Sequence, residues 1–338
     1  MKKITTLTIA SMLAGVAGLH AQAFTNPSGY VTHTLKAGQF NLIGLTLHEH
    51  IAVSGAFETV SGTTLTDDDV DFDSVLTDGT TYILEITSGA LSGTIQEVVW
   101  NSPSATNNIV TSDNLGSDGL VAADTYQIRA AATLASIFGV DNSLDLPSAA
   151  APASSAIVWV QDVNANNGFS RYYYNSGGFG VSAEWRLLGE SETSANSESV
   201  VISYSDAIFV QMPSGSDQDV VFTGAVKTVA TTYALTDTFN YISVSFPVGS
   251  TIQNSGILDT IQVGASVAAA DIIWIPQDDG SYNRYYFNTG GFGIAAGLKQ
   301  ILESSEVSAP DNIELTSGII IQKNGDNVNA TITPGFNL

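Results

Sequence analysis

An internal repeat constrains this chain more than any other feature of its sequence. Residues 171–180 return as residues 284–293, with eight identical positions and two changes that keep the side-chain shape. Two other pairs of segments match in the same order along the chain, namely 40–47 with 239–246 and 157–160 with 272–275. A duplicated sequence meets the same folding constraints twice, so the repeat predicts two related modules in tandem.

The repeated segment is typical of a β-strand that runs into a glycine turn, because three aromatic residues precede Asn and a Gly pair. Side chains alternate along a strand, so Tyr172 and Tyr174 share one face. The second copy has Phe287 in place of Tyr174, which indicates that this hydroxyl is dispensable and that this face points inward. We therefore expect an outward set on the opposite face: Arg171, Tyr173 and Asn175, with Arg284, Tyr286 and Asn288 in the second copy.

Two interpretations of this outward set remain open. A Tyr beside an Arg and an amide can stack on a sugar ring or on a partner's side chain. Alternatively, both copies keep these residues because the hairpin packs through them. Trp185 and Arg186 extend the first copy, whereas the second copy has Leu298 and Lys299 there. If the Trp-Arg pair binds a ligand, only the first module can bind it.

The amino terminus predicts export. Residues 1–23 combine Lys2 and Lys3, an apolar run and an Ala-Gln-Ala sequence, which is the pattern of a signal peptide cleaved before Phe24. Removal of this segment leaves 8 basic against 33 acidic residues, a formal charge of −25. So acidic a surface makes nucleic acid an improbable partner. No later segment has the 18 or so apolar residues of a transmembrane helix, so we expect none in the mature chain. Its predicted location is extracellular, at the cell surface or in the periplasm.

The fold class predicted from these patterns is all-β, with antiparallel β-sandwich or barrel-like modules. The first module spans residues 24–222 and the second spans residues 223–338. The first carries an extra segment at about residues 58–132 with its own alternating strands and turns, which predicts a small inserted β subdomain. A short helix is expected after Thr133, which is placed as an N-cap, and before Gly139. The chain has no cysteine, so its modules must be stabilised without disulfides.

Several segments resemble a paralogous family of secreted proteins from verrucomicrobial bacteria. They include residues 29–31, 40–44, 82–89, 126–129, 133–136 and the stretch from Tyr172 to Arg186. The resemblance covers nearly the whole mature chain. It implies export and a β-rich architecture, and it supplies no catalytic residue because the family has no assigned activity.

One acidic run is the best candidate for a metal site. Asp69, Asp71 and Asp73 alternate as carboxylates do in calcium loops. The run lacks the Gly and Glu that an EF-hand needs, since Ser74 and Thr80 stand there. A solvated acidic loop is the favoured explanation of the pattern, so we expect weak calcium binding at most and no other cofactor. His48 and His50 could share a strand face, but the repeat has Pro247 where His48 stands.

The residues favour no catalytic constellation, so we expect a protein that is not an enzyme. The predicted function is an exported structural or adhesive protein at the cell surface or outside the cell. The alternative is a carbohydrate-binding module that uses the Tyr and Arg strand faces. Its expected partners are a glycan or other surface proteins, and self-association is a further possibility.

Overall fold

The computed structural model describes residues 27–336 except 102–104, 166, 179, 190–195, 237, 292, 311 and 316. The predicted signal peptide, residues 1–23, lies outside the described residues. Within the described part of the chain, none of the helices has the length and apolar character that a membrane span needs.

Short strands are the main regular elements of the described chain, and three α-helices of four or five residues lie between them. Up to residue 133 the elements are β1 (Ser28–Leu35), β2 (Phe40–Ile43), β3 (Ile51–Ala56), β4 (Thr59–Ser61), β5 (Thr64–Thr66), α1 (Phe72–Val75), β6 (Thr81–Ile86), β7 (Ile95–Val99), β8 (Asn108–Val110), α2 (Leu115–Asp118), β9 (Thr125–Ala130) and β10 (Ala132–Thr133). From residue 134 to 225 they are α3 (Leu134–Phe138), β11 (Ile157–Gln161), β12 (Phe169–Asn175), β13 (Glu184–Leu187), β14 (Val201–Ile202), β15 (Ile208–Gln211) and β16 (Gln218–Ala225). The remainder are β17 (Thr231–Leu235), β18 (Phe239–Ser243), β19 (Ile272–Pro276), β20 (Tyr282–Asn288), β21 (Gly297–Ile301), β22 (Glu306–Ser308), β23 (Gly318–Gln322) and β24 (Val328–Ile332). The predicted all-β class is confirmed.

The two copies of the repeat form sheets with the same strand order. The first sheet runs β13-β12-β11-β15-β2, and the second sheet runs β21-β20-β19-β23-β18 with β22 added at its edge. Registers match as well, since Trp159 pairs with Arg171 and Trp274 pairs with Arg284. A two-stranded ribbon accompanies each sheet, β1 with β16 and β17 with β24. Trp159 and Trp274 thus occupy corresponding strands.

Apolar side chains collect in three main clusters. One cluster, with Val158, Tyr172 and Trp185, lies under the first sheet. Another, with Ile273 and Tyr285, lies under the second sheet. The third cluster belongs to the extra segment and has its own set of buried aromatic residues: Phe57, Phe72, Tyr82, Trp100 and Tyr126. Each part of the chain therefore buries apolar surface of its own, which is the dominant favourable term in folding.

The extra segment forms a four-stranded sheet, β3-β9-β6-β7, and a three-stranded sheet, β4-β5-β8. Its pairing begins earlier than residue 58, because β3 (Ile51–Ala56) pairs with β9. Helix α3 follows it as the sequence predicts. Thr133 and Ser136 form a reciprocal capping box, and Gly139 ends the helix with a positive φ of 89°.

One detail of the predicted organisation needs correction. The predicted boundary between residues 222 and 223 falls inside β16, whose pairing with β1 continues to Ala225. The ribbon therefore holds residues 223–225 with the first sheet.

The first and second sheets contact each other through closely packed backbone. The Gly44 N–H donates to Ser317 Oγ at 3.1 Å, and the Ala207 N–H donates to the Tyr241 carbonyl at 3.1 Å. A Cβ at Gly44 would lie 2.6 Å from the carbonyl carbon of Ser317. Because real Cβ contacts are longer, only Gly allows this approach.

We predict that Gly44→Ala destabilises the protein by about 1–3 kcal/mol, because the added methyl group forces the two sheets apart. Gly29→Ala is the matched control, since a Cβ there would lie 3.9 Å from its nearest neighbours. Urea unfolding of both variants measures the difference. Equal stability of the two variants would contradict this packing.

Candidate functional site

The face of each sheet that lies opposite its core cluster carries the same four side chains. Part of this face is covered, since Phe209 of the first sheet and Tyr241 of the second sheet pack with ring centroids 5.3 Å apart. Strands β2, β15, β11 and β12 place Phe40, Gln211, Trp159 and Arg171 side by side, and we call this set the first platform. The matching strands of the second sheet carry the second platform, which consists of Phe239, Gln322, Trp274 and Arg284.

Contacts within the first platform hold its rings at fixed angles. The Phe40 and Trp159 ring centroids lie 5.4 Å apart with an edge-to-face geometry. The guanidinium carbon of Arg171 lies 5.2 Å from the Trp159 ring centroid, within the range of a cation–π contact. The indole N–H of Trp159 donates to Gln211 Oε1 at 3.2 Å. Phe40 remains 49% exposed, so its ring is open to solvent while its neighbours are fixed.

The second platform reproduces this geometry. Its Phe239 is also 49% exposed and lies 6.1 Å from the Trp274 ring. Arg284 lies over the Trp274 ring at 5.2 Å, and the Trp274 indole N–H donates to Gln322 at 3.2 Å. Two exposed aromatic rings flanked by an Arg and an amide thus occur at equivalent places of the two sheets.

The predicted outward set lies on the expected face of the strand but is mostly buried. Tyr172 belongs to the core cluster under the first sheet and Tyr174 packs against that cluster, so these residues point inward as predicted. Arg171 is exposed. Tyr173 is buried, and Asn175 is only 2% exposed because the chain at Ala149 and Ala150 runs beside this end of the strand.

The equivalent residues of the second copy are buried for the same reason. Tyr286 and Asn288 are each 1% exposed. Asn288 Nδ2 donates to the Ala265 carbonyl at 3.2 Å and to the Tyr286 hydroxyl at 2.9 Å. The Tyr286 hydroxyl in turn donates to Glu306. The prediction of an exposed patch at these Tyr and Asn residues is wrong, because a second segment covers the face that strand alternation left open.

Trp185 and Arg186 are also buried in the described structure. The Trp185 indole N–H donates to the Gly139 carbonyl at 2.9 Å beneath the first sheet. Arg186 is 4% exposed and forms an ion pair with Glu184. Neither residue offers a free surface to a ligand. Of the predicted binding residues, Arg171 and Arg284 are the two that belong to the platforms.

We predict that Asn175→Ala and Asn288→Ala each destabilise the protein by about 1–3 kcal/mol, because partly buried backbone groups lose their partners. Each Asn Oδ1 accepts from the backbone N–H two residues on, at 2.7 Å, and holds the glycine turn. Asn329→Ala, on the exposed side of β24, is the control and should be nearly silent. Thermal unfolding measures all three, and unchanged stability in Asn288→Ala would refute this structural role.

The acidic run presents a different set of carboxylates from the one predicted. Phe72–Val75 forms helix α1, so Asp71 precedes a helix and Asp73 lies in its first turn, and the expected alternation is lost. The described residues instead bring together Glu58, Asp67 and Asp69, with ligand oxygens within 4.8 Å of one another. Protein donors already engage part of this group, since the Tyr126 hydroxyl donates to Asp67 at 2.6 Å. Of the candidate set Asp69, Asp71 and Asp73, the structure therefore places only Asp69 in the observed group.

A buried ion cluster lies where the extra segment meets the rest of the chain. Glu85 of β6 accepts from Arg129 of β9 at 3.1 Å, and Lys227 Nζ lies 3.0 Å from its other oxygen. Gln127 and the Tyr204 hydroxyl also donate to the Glu85 carboxylate. Burial alone raises the pKa of a carboxyl, but Lys227 and Arg129 outweigh it and lower the pKa of Glu85 to about 2.

Two neighbours of this carboxylate have shifted pKa values as well. Burial lowers the pKa of Lys227 to about 8, against the opposing attraction of Glu85. Burial and the Arg129 charge lower the pKa of His48 to about 3, so its ring is neutral at pH 7. The His48 ring lies edge-on to Tyr204 with centroids 4.6 Å apart. Its Nε2 is 2.9 Å from the Ser245 carbonyl and must carry the proton that this contact requires.

We predict that the contributions of His48 and Glu85 to stability are lost as the pH drops from about 6.5 towards 3. His48 and Glu85 both have lower pKa values folded than their ordinary 6.5 and 4.5, so the unfolded chain binds more protons over this interval. Each proton contributes a slope of about 1.4 kcal/mol per pH unit. Denaturant unfolding at several pH values measures this dependence. In His48→Gln, the free energy of unfolding should no longer change with pH through this group between pH 4.5 and 6.5. The exposed His50→Gln is the control, and an unchanged profile in His48→Gln would contradict this assignment.

Comparisons of the chain with protein-family models, with curated proteins and with solved structures found no match. The resemblance to secreted verrucomicrobial proteins stays a prediction, and what the chain binds has to be inferred from its own side chains.

Proposed function

We propose that this protein is an exported adhesive protein that binds polysaccharide through its two platforms. The observation that supports the proposal is the duplicated platform, in which a half-exposed Phe ring adjoins a Trp, an Arg and a Gln in both sheets. Sugar rings present apolar C–H faces that stack on aromatic rings, and hydroxyl groups that hydrogen-bond to Arg and Gln. The export part of the proposal depends on residues 1–23.

Fixed rings favour such a role over a purely structural one. Core aromatic residues are covered, whereas Phe40 and Phe239 keep the same exposure, 49%, at equivalent positions. The Arg–Trp contacts also match at 5.2 Å. A rigid aromatic surface loses little conformational entropy when a ligand binds. Two weak sites on one chain also strengthen attachment to a repetitive polymer, since the second contact becomes intramolecular.

The test compares single and double variants of the exposed rings. Co-sedimentation with cellulose, chitin and xylan first shows which of these polysaccharides retain the unaltered protein. Phe40→Ser or Phe239→Ser should weaken retention by those polysaccharides. The double variant should lose retention, because avidity disappears with the second site. Unfolding temperatures should change little, since both rings are half-exposed.

Tyr30→Ser is the matched control, because Tyr30 is a 75% exposed aromatic residue outside both platforms. The proposal fails if Tyr30→Ser weakens retention as much as the platform variants do. It also fails if none of the polysaccharides retains the unaltered protein, and binding to purified cell-surface protein would then favour a protein partner for the platforms.

A further inference from the structure

A buried ion pair joins two neighbouring strands of the second sheet. Asp271 directly precedes β19 and Lys323 directly follows β23, and these strands pair antiparallel with Ile272 opposite Gln322. Lys323 Nζ lies 2.5 Å from Asp271 Oδ2, and the two side chains are 1% and 0% exposed. An amine and a carboxyl group are thus held in contact where water is excluded.

The first copy of the repeat shows that packing does not require this pair. Its strands β11 and β15 pair in the same register, with Ile157 opposite Gln211. Ala156 and Met212 therefore hold the positions of Asp271 and Lys323, and each is 3% exposed within the core cluster. Burial of an ion pair costs desolvation energy that an apolar pair avoids. The ion pair of the second copy therefore indicates a role beyond filling space.

Backbone N–H groups fix the orientation of the Asp271 carboxyl group. The N–H groups of Asn324 and Gly325 donate to Oδ1 at 2.8 Å and 3.3 Å, whereas the Gln262 N–H donates to Oδ2 at 2.8 Å. Donors that converge on one oxygen stabilise negative charge that develops there during attack on a carbonyl carbon. Oδ1 is thus placed to carry this charge, and Oδ2 lies beside the amine.

Burial also prepares the amine for reaction. A medium with few water molecules disfavours charged groups, so transfer of a proton from Nζ to Oδ2 costs less here than in solvent. The product of this transfer is a neutral amine next to a carboxylic acid. A neutral lysine amine is a nucleophile, and contact with the carboxyl group supplies the proximity that the attack needs.

We propose that Lys323 and Asp271 condense to an isopeptide bond between Nζ and Cγ. Nζ gives one proton to Oδ2 and adds to Cγ, and the negative charge moves to Oδ1, beside the N–H groups of Asn324 and Gly325. Oδ2 then takes a second proton from Nζ and leaves as water. The ammonium group supplies both protons of this water, and its third hydrogen stays on the amide. The reaction therefore consumes no other reactant.

The bond ties β19 to β23 covalently in a chain that has no cysteine for a disulfide. Like a disulfide, it closes a loop of the unfolded chain, here between residues 271 and 323, and so reduces the freedom of the unfolded state. This cross-link does not depend on what the platforms bind.

Intact-mass spectrometry of the full mature chain tests the proposal. The chain should have a mass lower than its sequence requires by one water molecule. The double variant Asp271→Ala with Lys323→Met is the matched control, since it copies the Ala156 and Met212 pair of the first copy, and it should have the full mass of its sequence. A full mass in the unaltered chain would overturn the proposal, whether or not the double variant folds.

Tryptic digestion of the denatured chain tests the location. Trypsin should not cleave after Lys323, so residues 228–284 should be recovered linked to residues 300–338. Lys227 is the control, because its side chain is also fully buried against a carboxylate, Glu85. Arg129 is a second cation that keeps Glu85 charged, so this pair should not condense and trypsin should cleave after Lys227. Cleavage after Lys323, or a lost water that maps to another peptide, would refute the cross-link.

Discussion

The contact on which the arrangement of this chain depends is the Glu85 carboxylate between Lys227 and Arg129. Glu85 and Arg129 come from the extra segment, whereas Lys227 follows the ribbon of the first sheet. All three side chains are at most 2% exposed, so none can exchange its partner for water. A buried ion cluster is weak evidence for added stability, but removing one member leaves an uncompensated charge. The cluster therefore fixes where the extra segment docks.

The two sheets share both a set of packing contacts and a set of surface side chains. Asn175 and Asn288 hold their glycine turns through the same 2.7 Å hydrogen bond. The Trp rings keep the same Gln and Arg neighbours on the faces opposite the core clusters. Turn geometry alone requires the first set of contacts. It does not require a half-exposed Phe at both places, and this distinguishes the platforms from the buried hairpin residues.

Local sequence patterns predicted the structural features that depend on residues close together in the chain. Strand alternation placed Tyr172 inward correctly, and the capped helix at Thr133 formed as expected. Burial of Asn175 depends on residues 149–150, which lie some 25 positions away, and alternation cannot foresee such a cover. Glu85 is a charged residue within an otherwise apolar strand, and this pattern already indicated a buried partner of opposite charge. The identity of that partner, 142 positions away at Lys227, had no local signature. The match of Phe40 with Phe239 was visible, but not the exposure of their rings.

Electrostatics limits the kind of polymer that the platforms suit. The chain has a formal net charge of −23, so anions meet a repulsive field that salt screens beyond about 8 Å. Stacking on Phe40 or Phe239 involves no net charge, so this field leaves a neutral polysaccharide unaffected. A polyanion meets the surface charge along its whole length. The platforms thus suit an uncharged polymer better than an acidic one.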